Sequence, residues 1–180
     1  MTWLKPILPK RSDQHDFSSF TCGAPEIDGW LQQHALKGQL VGNANVFVCE
    51  TQGRVLGFYA LASGGIERIT APRVLKQNTP GPIPNLLLAR LGVDESAQKR
   101  GIGQLLLQDV VLRVLQISAD VGFRALIVHC RDEVARDFYM RNIPSLKLSP
   151  TEPLHLHLPL KSLQDFAAAA RIPIPSATDP

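Results

Sequence analysis

The sequence predicts an α/β fold with a mixed central sheet and flanking helices, and three observations carry this prediction. Two short apolar runs, Leu86–Val93 and Ala125–Cys130, have the length of buried strands. Between them, Ile102–Val121 has the periodicity of a long helix. A strand, a crossover helix and a second strand normally form a right-handed parallel unit, so these two strands should be parallel. Upstream, Val46–Glu50 and Val55–Leu61 predict a hairpin that would add antiparallel neighbours.

The elements upstream of this unit follow from local patterns. Residues 1–19 predict an opening strand and loop, and Ala24–Leu40 has helical spacing that begins near Pro25. Ile69–Pro84 contains four prolines and predicts a long surface loop with one helical turn after Pro72.

The downstream elements are a short helix and a last strand. Asp132 can cap a helix that ends near Arg141. Val134 and Phe138 lie four positions apart on this helix and should face the core. Leu154–Leu160 alternates and predicts a final half-buried strand. On the long helix, we expect a solvent-facing stripe formed by Asp109, Arg113, Gln116 and Asp120.

Length and composition indicate one globular domain. The chain has 180 residues, of which 44% are hydrophobic and 19% charged, so we expect a single domain over residues 1–165 and a C-terminal tail over 166–180. Its three cysteines are scattered without a CxxC or CxxH pair, which excludes a disulfide scaffold and the usual zinc sites. No apolar run approaches 18 residues, and the first residues lack a signal-peptide core. We therefore expect a soluble cytoplasmic protein that makes no membrane contact.

Positive charge is concentrated in one segment. The net charge is only +3, but Arg68–Arg100 has six basic and two acidic residues, which gives six minus two, or +4, in 33 residues. Such a zone suits a polyanionic partner or a phosphorylated cofactor, and a solvated basic surface is the alternative.

A glycine-rich loop precedes the long helix, with the sequence Gln98-Lys99-Arg100-Gly101-Ile102-Gly103. Glycines at a helix start let a phosphate approach the backbone N–H groups, where the helix dipole favours an anion. The loop is neither a Walker loop nor a GxGxxG motif. On these grounds alone, pyrophosphate binding and a simple glycine-rich helix cap both remain open.

The string Q-x-x-G-x-G after a buried strand resembles motif A of the GNAT acetyltransferases. This resemblance implies the GNAT fold, with a splayed parallel strand pair, and acetyl-CoA as cosubstrate without a metal. In that family the loop amides hold the pyrophosphate, and the backbone of the preceding strand holds the pantetheine arm. Carried over by position, the implied cofactor-binding residues are Leu91, Gly92, Val93, Gln98, Lys99, Arg100, Gly101, Ile102, Gly103, Gln104, Asp132, Ala135 and Phe138.

A wider resemblance extends over about residues 4 to 163, to TacT/AtaT-like GNAT toxins of type II toxin–antitoxin modules. Two departures stand out: Ala97 replaces the usual aromatic before the glutamine, and Asn142–Pro144 replaces the usual F-G-F. The matching segments are Phe20–Gly23 (FTCG), Ile27–Leu31 (IDGWL), Gly57–Ser63 (GFYALAS), Pro82–Asp94 (PIPNLLLARLGVD), Ala135–Tyr139 (ARDFY) and Ser149–Leu160.

The resemblance implies a specific reaction and specific partners. Members of this family acetylate the α-amino group of aminoacyl-tRNA and so block translation. A cognate ribbon-helix-helix antitoxin silences them and binds operator DNA, and a homodimer is expected. Two alternatives remain open: a GNAT enzyme that acetylates a small amine or a protein N-terminus, and a non-enzymatic partner of a DNA-binding protein.

Tyr139 matches the catalytic tyrosine of the family. A phenol with a pKa of about 10 is protonated at neutral pH and can donate a hydrogen bond toward a leaving thiolate. Full proton transfer to a thiolate would be uphill by about 2 kcal/mol, so we expect hydrogen-bond donation or a locally lowered pKa. Without the family match, a tyrosine that packs the helix onto the sheet is the alternative.

No residue stands out as a general base. An α-amine, with a pKa of about 7.7, is substantially neutral at pH 7, whereas a lysine would need about 4 kcal/mol of help. The sequence therefore modestly favours aminoacyl-tRNA or an N-terminus over a protein lysine. The candidate contacts to the tRNA acceptor stem are Arg73, Lys76 and Arg90, each of which is otherwise a surface charge. Lys99 and Arg100 are candidates either for the same stem or for the CoA phosphates.

Other reactive side chains favour structural roles. His129 and Cys130 end a buried strand and are expected to be core residues, and Cys22 a packed thiol. His155 and His157 share one strand face, but two ligands without a third do not indicate a metal site.

Overall fold

The computed structural model describes residues 10–11 and 15–169, so most of the strand and loop predicted over residues 1–19 lies outside the described residues. A one-turn 3₁₀ helix at Glu95–Ala97 precedes the long helix. The strands are β1 (Lys10–Arg11), β2 (Asn45–Thr51), β3 (Arg54–Ile66), β4 (Ile83–Val93), β5 (Ala125–His129), β6 (Lys147–Leu148) and β7 (His155–Pro159). The helices are α1 (Pro25–Gln33), α2 (Ala35–Leu40), α3 (Arg73–Lys76), α4 (Ile102–Asp120), α5 (Glu133–Asn142) and α6 (Leu160–Ala169).

The strands form a mixed sheet in the order β1-β2-β3-β4-β5-β7-β6. The parallel pair predicted from the sequence is β4 and β5, whose register runs from Asn85–Ala125 to Leu88–Val128, and the prediction is confirmed. The predicted hairpin is β2 and β3, which are antiparallel. Its turn is formed by Gln52 and Gly53, both with positive φ, as a tight hairpin turn requires.

The chain divides into two compact units. One contains the residues up to Ala62 together with Ala89–Asp109. The other contains Ser63–Leu88 and the residues from Val110 onward. The strands β3 and β4 and the helix α4 contribute residues to both units.

The core of the first unit is built on aromatic rings. The Phe58 ring meets Phe20 edge-on with ring centroids 5.4 Å apart, and Trp30 stacks on Phe58 at 6.1 Å. Gly92 lies against these rings, since a Cβ atom there would stand 2.9 Å from the Phe58 ring. The strand glycine seen in the sequence is therefore a place of close approach.

The core of the second unit lies beneath the proline-rich loop. Ala71 and Leu75 pack with Ile83 of β4 and with Ile127 of β5. The predicted helical turn after Pro72 is confirmed as α3, and it carries Leu75 into this cluster. The loop is therefore ordered by burial, although four prolines make it irregular.

Three sequence-based expectations about the helices are wrong in detail. The helix predicted over Ala24–Leu40 is interrupted at His34, which separates α1 from α2. Val134 is 78% exposed because α5 turns Tyr139 toward the core instead, while Phe138 is half-buried. Asp109, expected on a solvent stripe, is only 6% exposed because the Tyr59 hydroxyl donates a hydrogen bond to its carboxylate. The other predicted members of the stripe agree better, since Gln116 and Asp120 are exposed and Arg113 is half-buried, and Gln104 and Gln108 extend the exposed line.

Two elements were not predicted, β6 and α6. The helix α6 continues to Ala169, beyond the tail boundary expected at residue 165, and buries Leu163 and Ala167. The helix α4 is long and apolar enough by composition to cross a membrane. It buries Leu106 and Val110 completely, as the core helix of a folded domain does.

Candidate active site

The first unit holds the glycine-rich loop at the start of α4. Lys99 and Gly101 both have positive φ, 60° and 83°, so the backbone reverses twice before the helix begins. The N–H of Leu105 closes the first helical turn on the carbonyl of Gly101 at 3.1 Å. Alternating turn conformations followed by a helix N-terminus form a concavity lined by N–H groups, which suits an anion.

The side chain of Gln98 holds this loop in place. Its Nε2 donates to the carbonyl oxygens of Cys22 at 3.0 Å and Val93 at 3.1 Å. The amide therefore joins the loop to the end of β4 and to the segment before α1. Gln98, implied by the resemblance as a cofactor contact, braces the loop through these bonds.

Asp94 organises the turn before the loop and was not predicted from the sequence as a site residue. Its buried carboxylate accepts hydrogen bonds from the N–H groups of Ser96 at 3.1 Å and Thr21 at 3.3 Å, and from Arg54 at 3.1 Å. Burial alone would raise its pKa, but the Ser96 hydroxyl, these N–H groups and the Arg54 guanidinium together lower it. An aspartate directly before a Glu-Ser pair is the local cap signal that would have identified it.

Two exposed cations and the end of β4 line the rest of this site. Lys99 and Arg100 are exposed, and neither forms an ion pair with another residue that the structure describes. Leu91 and Val93 are half-buried at the end of β4, with the buried Gly92 between them. Ile102, Gly103 and Gln104 form the first turn of α4.

The second unit holds the start of α5. The Asp132 carboxylate accepts a hydrogen bond from the Ala135 N–H at 2.8 Å and caps the helix, as predicted. Arg131 contacts the same carboxylate at 2.7 Å. The pKa of Asp132 is lowered, first by the Ala135 N–H and then by Arg131. The Asp132 carboxylate and the Ala135 N–H are therefore paired within the helix cap. The resemblance implies that both residues contact the cofactor.

Tyr139 lies in α5 and is 7% exposed. Phe138 meets its ring edge-on with centroids 5.5 Å apart. No hydrogen bond joins its hydroxyl to another of the described residues, so the proton is available to a ligand. Burial, and then the nearby Cys130, raise the pKa of Tyr139 above its usual value. This direction is opposite to the locally lowered pKa that was one of the two expected possibilities.

Cys130 is not an activated nucleophile. Burial raises its pKa to about 11, Asp132 adds to the rise and Arg136 opposes it. The thiol is thus protonated at neutral pH. Its neighbour His129, expected in the core, is exposed.

The three candidate tRNA contacts lie at the surface in different settings. Arg90 has its guanidinium over the Trp30 ring at 5.7 Å and donates to the Ala89 carbonyl at 2.7 Å. Lys76 donates to the Ile69 carbonyl at 3.2 Å and so braces the proline-rich loop. Arg73 begins α3 and is exposed. The described residues include no group of three metal-ligating side chains.

Comparison with known proteins shows which family this chain resembles. The acetyltransferase (GNAT) domain model matches residues 42–142. A tRNA-acetylating toxin of Mycobacterium tuberculosis (strain ATCC 25618 / H37Rv) is 43% identical over 154 residues, which cover 85% of this chain and 92% of that protein.

Two solved structures share the fold. One is AtaTR bound with acetyl-CoA, at 28% identity and a TM-score of 0.71, covering 83% of this chain and 90% of that one. The other is a KacTA–DNA complex, at 27% identity and a TM-score of 0.71, covering 89% and 98%. The chain therefore belongs to the GNAT acetyltransferase family and groups within it with the tRNA-acetylating toxins.

Proposed function

We propose that this enzyme transfers an acetyl group from acetyl-CoA to the α-amino group of aminoacyl-tRNA and thereby inhibits translation in the cytoplasm. The observation that carries the proposal is 43% identity, over 85% of the chain, to a tRNA-acetylating toxin. The site geometry in each unit supports the same reaction.

The loop of the first unit suits the diphosphate of acetyl-CoA. Lys99 and Gly101 turn the backbone so that the N–H groups at the start of α4 face one concavity. Lys99 and Arg100 add two formal positive charges that no described residue neutralises. The backbone of Leu91–Val93 would lie along the pantetheine arm. Acetyl-CoA supplies the acetyl group as an activated thioester.

Tyr139 would assist departure of the thiolate. Its raised pKa keeps the phenol protonated, so the hydroxyl donates a hydrogen bond and retains its own proton. In the reaction, the amine nitrogen bonds to the acetyl carbon and the carbon–sulfur bond breaks. The proton that the amine loses balances the proton that the thiolate gains.

The acceptor matches a site without an evident general base. An α-amine with a pKa of about 7.7 is roughly one-sixth neutral at pH 7, so deprotonating it costs only about 1 kcal/mol. Arg73 and Arg90 would contact acceptor-stem phosphates, which supply affinity without reading sequence. Lys76 would act mainly by holding the loop that presents Arg73.

Regulation by a protein partner follows from the same family relationship. We infer that a cognate ribbon-helix-helix antitoxin binds and silences this toxin and carries the pair to operator DNA. A related KacTA assembly has been solved with DNA. A homodimer is expected, and light scattering of the purified protein would measure its mass in solution.

Mass spectrometry tests the proposed reaction. Total charged tRNA would be incubated with the protein and acetyl-CoA, then digested to release aminoacyl-adenosine. We expect a mass increase of one acetyl group on the amino acid in the wild type and about 100-fold less product with Tyr139→Phe. Absence of acetylated ester in the wild type, together with acetylation of a free amine or peptide N-terminus, would favour the alternative acceptor. Growth inhibition that Tyr139→Phe leaves intact would favour a non-enzymatic role.

A further inference from the structure

Asp94 lies at the junction between β4 and the glycine-rich loop. Its N–H donates to the Leu56 carbonyl of β3 at 2.9 Å, so its backbone extends the sheet by one residue beyond β4. Its carbonyl accepts the Ala97 N–H at 2.8 Å and so opens the 3₁₀ turn Glu95–Ala97. Gln98, the first residue of the loop, follows that turn directly. The conformation of Asp94 therefore sets the direction in which the chain leaves the sheet toward the loop.

The side chain of Asp94 accepts hydrogen bonds from three separate segments of the first unit. Its carboxylate binds the Thr21 N–H before α1, the Arg54 guanidinium at the start of β3, and both the N–H and the hydroxyl of Ser96 in the 3₁₀ turn. The lowered pKa of Asp94 keeps it ionised at neutral pH. A carboxylate only accepts, and its two oxygens offer about four lone-pair positions, which these four donors match. An asparagine of the same shape would place an NH₂ group against either Thr21 or the Arg54 and Ser96 donors.

The segment before α1 is held on two sides, and one of them is Asp94. On the other side, Asp28 of α1 accepts hydrogen bonds from the Thr21 hydroxyl at 3.1 Å and from the Cys22 N–H at 2.8 Å. Gln98 in turn donates to the Cys22 carbonyl. The loop is therefore supported by a segment that Asp94 itself holds in place. Asp94 is buried, whereas the contacts of Asp28 are exposed or partly buried, and water weakens exposed hydrogen bonds.

Arg54 supplies the charge that opposes Asp94. Its Nη2 lies 3.1 Å from Asp94 Oδ1, and its side chain is 53% exposed, while that of Asp94 is 1% exposed. A buried negative charge close before an anion-binding loop disfavours the anion, and the Arg54 cation offsets that charge. Because Arg54 is half in water, its attraction is screened, and the N–H and hydroxyl donors contribute more to holding the carboxylate.

We propose that Asp94 is a positioning residue for the acetyl-CoA loop and that Arg54 neutralises it there. Asp94 acts through Thr21 and Ser96, and it contacts the protein rather than the cosubstrate. These bonds fix the loop before the diphosphate arrives, so that binding does not have to order it. The inference concerns acetyl-CoA binding and holds for any amine acceptor.

Replacement of Asp94 by Asn tests the charge at nearly constant shape. We expect the Kd for CoA, measured by calorimetry, to rise about tenfold. The KM for acetyl-CoA should rise by a similar factor, while kcat at saturation changes less than about twofold. Tyr59→Phe is the matched control, because it also removes a buried hydrogen bond from the first unit. This control should bind CoA as the wild type does, so a general loss of stability would not reproduce the effect.

Hydrogen exchange in the ligand-free protein gives a readout that does not depend on activity. We expect the amides of Gln98–Gln104 to exchange about tenfold faster in Asp94→Asn than in wild type, and Tyr59→Phe to leave them unchanged relative to the rest of the chain. Ser96→Ala keeps its N–H and loses only the hydroxyl, so it should show a smaller effect of about threefold. Unchanged exchange together with an unchanged Kd for CoA in Asp94→Asn would overturn the assignment.

Two milder substitutions test Arg54. Arg54→Met retains the alkyl chain and removes the cation, so we expect about threefold weaker CoA binding, which Arg54→Lys should restore. If Asp94→Asn fails to fold, Arg54→Met and Ser96→Ala carry the test, and wild-type CoA affinity in both would overturn the proposal. A fall in kcat with an unchanged KM would overturn it as well. A wild type that binds CoA but forms no acetylated aminoacyl ester would instead refute the proposed function alone.

Discussion

The side-chain amide of Gln98 donates a hydrogen bond to the Cys22 carbonyl at 3.0 Å across 76 positions of the chain. A second bond from the same nitrogen reaches Val93 at 3.1 Å. Nearby, the N–H of Glu95 donates to the Thr21 carbonyl at 2.8 Å. The segment before α1 is thus bound to the anion loop by side-chain and main-chain bonds. This attachment joins the FTCG segment to the Q-x-x-G-x-G segment in the folded protein.

Replacing Gln98 by Ala should loosen the loop without removing its glycines or its charges. Two hydrogen bonds of about 1 kcal/mol each are lost, so we expect the KM for acetyl-CoA to rise about tenfold while kcat at saturation changes little. Steady-state kinetics with varied acetyl-CoA would measure this. Gln116→Ala is the control. An unchanged KM would show that the amide does not shape the site.

Gly101 should be sensitive to any side chain. Its φ of 83° disfavours a Cβ atom, although the nearest atom, Gln104 Oε1, would be 4.0 Å away. We expect Gly101→Ala to destabilise the fold by about 1 kcal/mol and to weaken acetyl-CoA binding, since only the backbone conformation is strained. The matched variant is Gly29→Ala in α1, which meets no atom within 4 Å and should instead be slightly stabilising. Denaturant unfolding of both variants would measure the contrast, and equal effects would contradict it.

Tyr139→Phe should separate chemistry from binding. The variant keeps the buried ring and removes only the hydroxyl, so the affinity for CoA measured by calorimetry should stay within about twofold. The rate of transfer should fall about 100-fold, as when one transition-state donor is deleted. Because burial raises the pKa of Tyr139, the wild-type rate should show no loss near pH 9 from ionisation of this phenol. A fall in that range that Tyr139→Phe lacks would contradict the raised pKa.

Tyr59 and Asp109 should contribute to stability as a pair. The Tyr59 hydroxyl donates to the buried Asp109 carboxylate, while its ring stacks on Phe47 at 5.0 Å. Tyr59→Phe retains the stacked ring and deprives the carboxylate of one donor, so we expect a loss of about 1–3 kcal/mol in the free energy of unfolding. Chemical denaturation would measure this loss. A double-mutant cycle with Asp109→Asn should give a nonzero coupling energy, and strict additivity would argue against the bond.

Cys130 should make stability depend on alkaline pH. Burial raises the pKa of its thiol from 9.0 to about 11 in the folded state. Its contribution is therefore fully present below pH 9 and is lost as the pH rises through about 11. The free energy of unfolding should fall more steeply over this interval in wild type than in Cys130→Ala. Tyr139 and Cys49, whose pKa values are also raised, are present in both proteins. Parallel pH profiles would therefore show that the pH dependence comes from groups other than Cys130.

Local patterns in the sequence were sufficient for the main elements of the sheet and for the loop. The positions of β4 and β5 follow from two short apolar runs, and the position of α4 follows from helical periodicity. Apolar residues in such patterns are stable only when they are buried. The glycines before α4 and the family motif identified the anion loop, and Asp132 was recognised as a cap. These features depend on residues close together in the chain, which is why they can be inferred from it.

Tertiary structure decided which polar groups meet. Asp109 faces inward because Tyr59, 50 positions away, offers a hydroxyl, and helical periodicity contains no information about that partner. Gln98 braces the loop because the Cys22 carbonyl, 76 positions away in the chain, lies beside it. Side-chain hydrogen bonds depend on distances of a few ångströms between residues far apart in the chain. Such distances are fixed only when the strands and helices have packed.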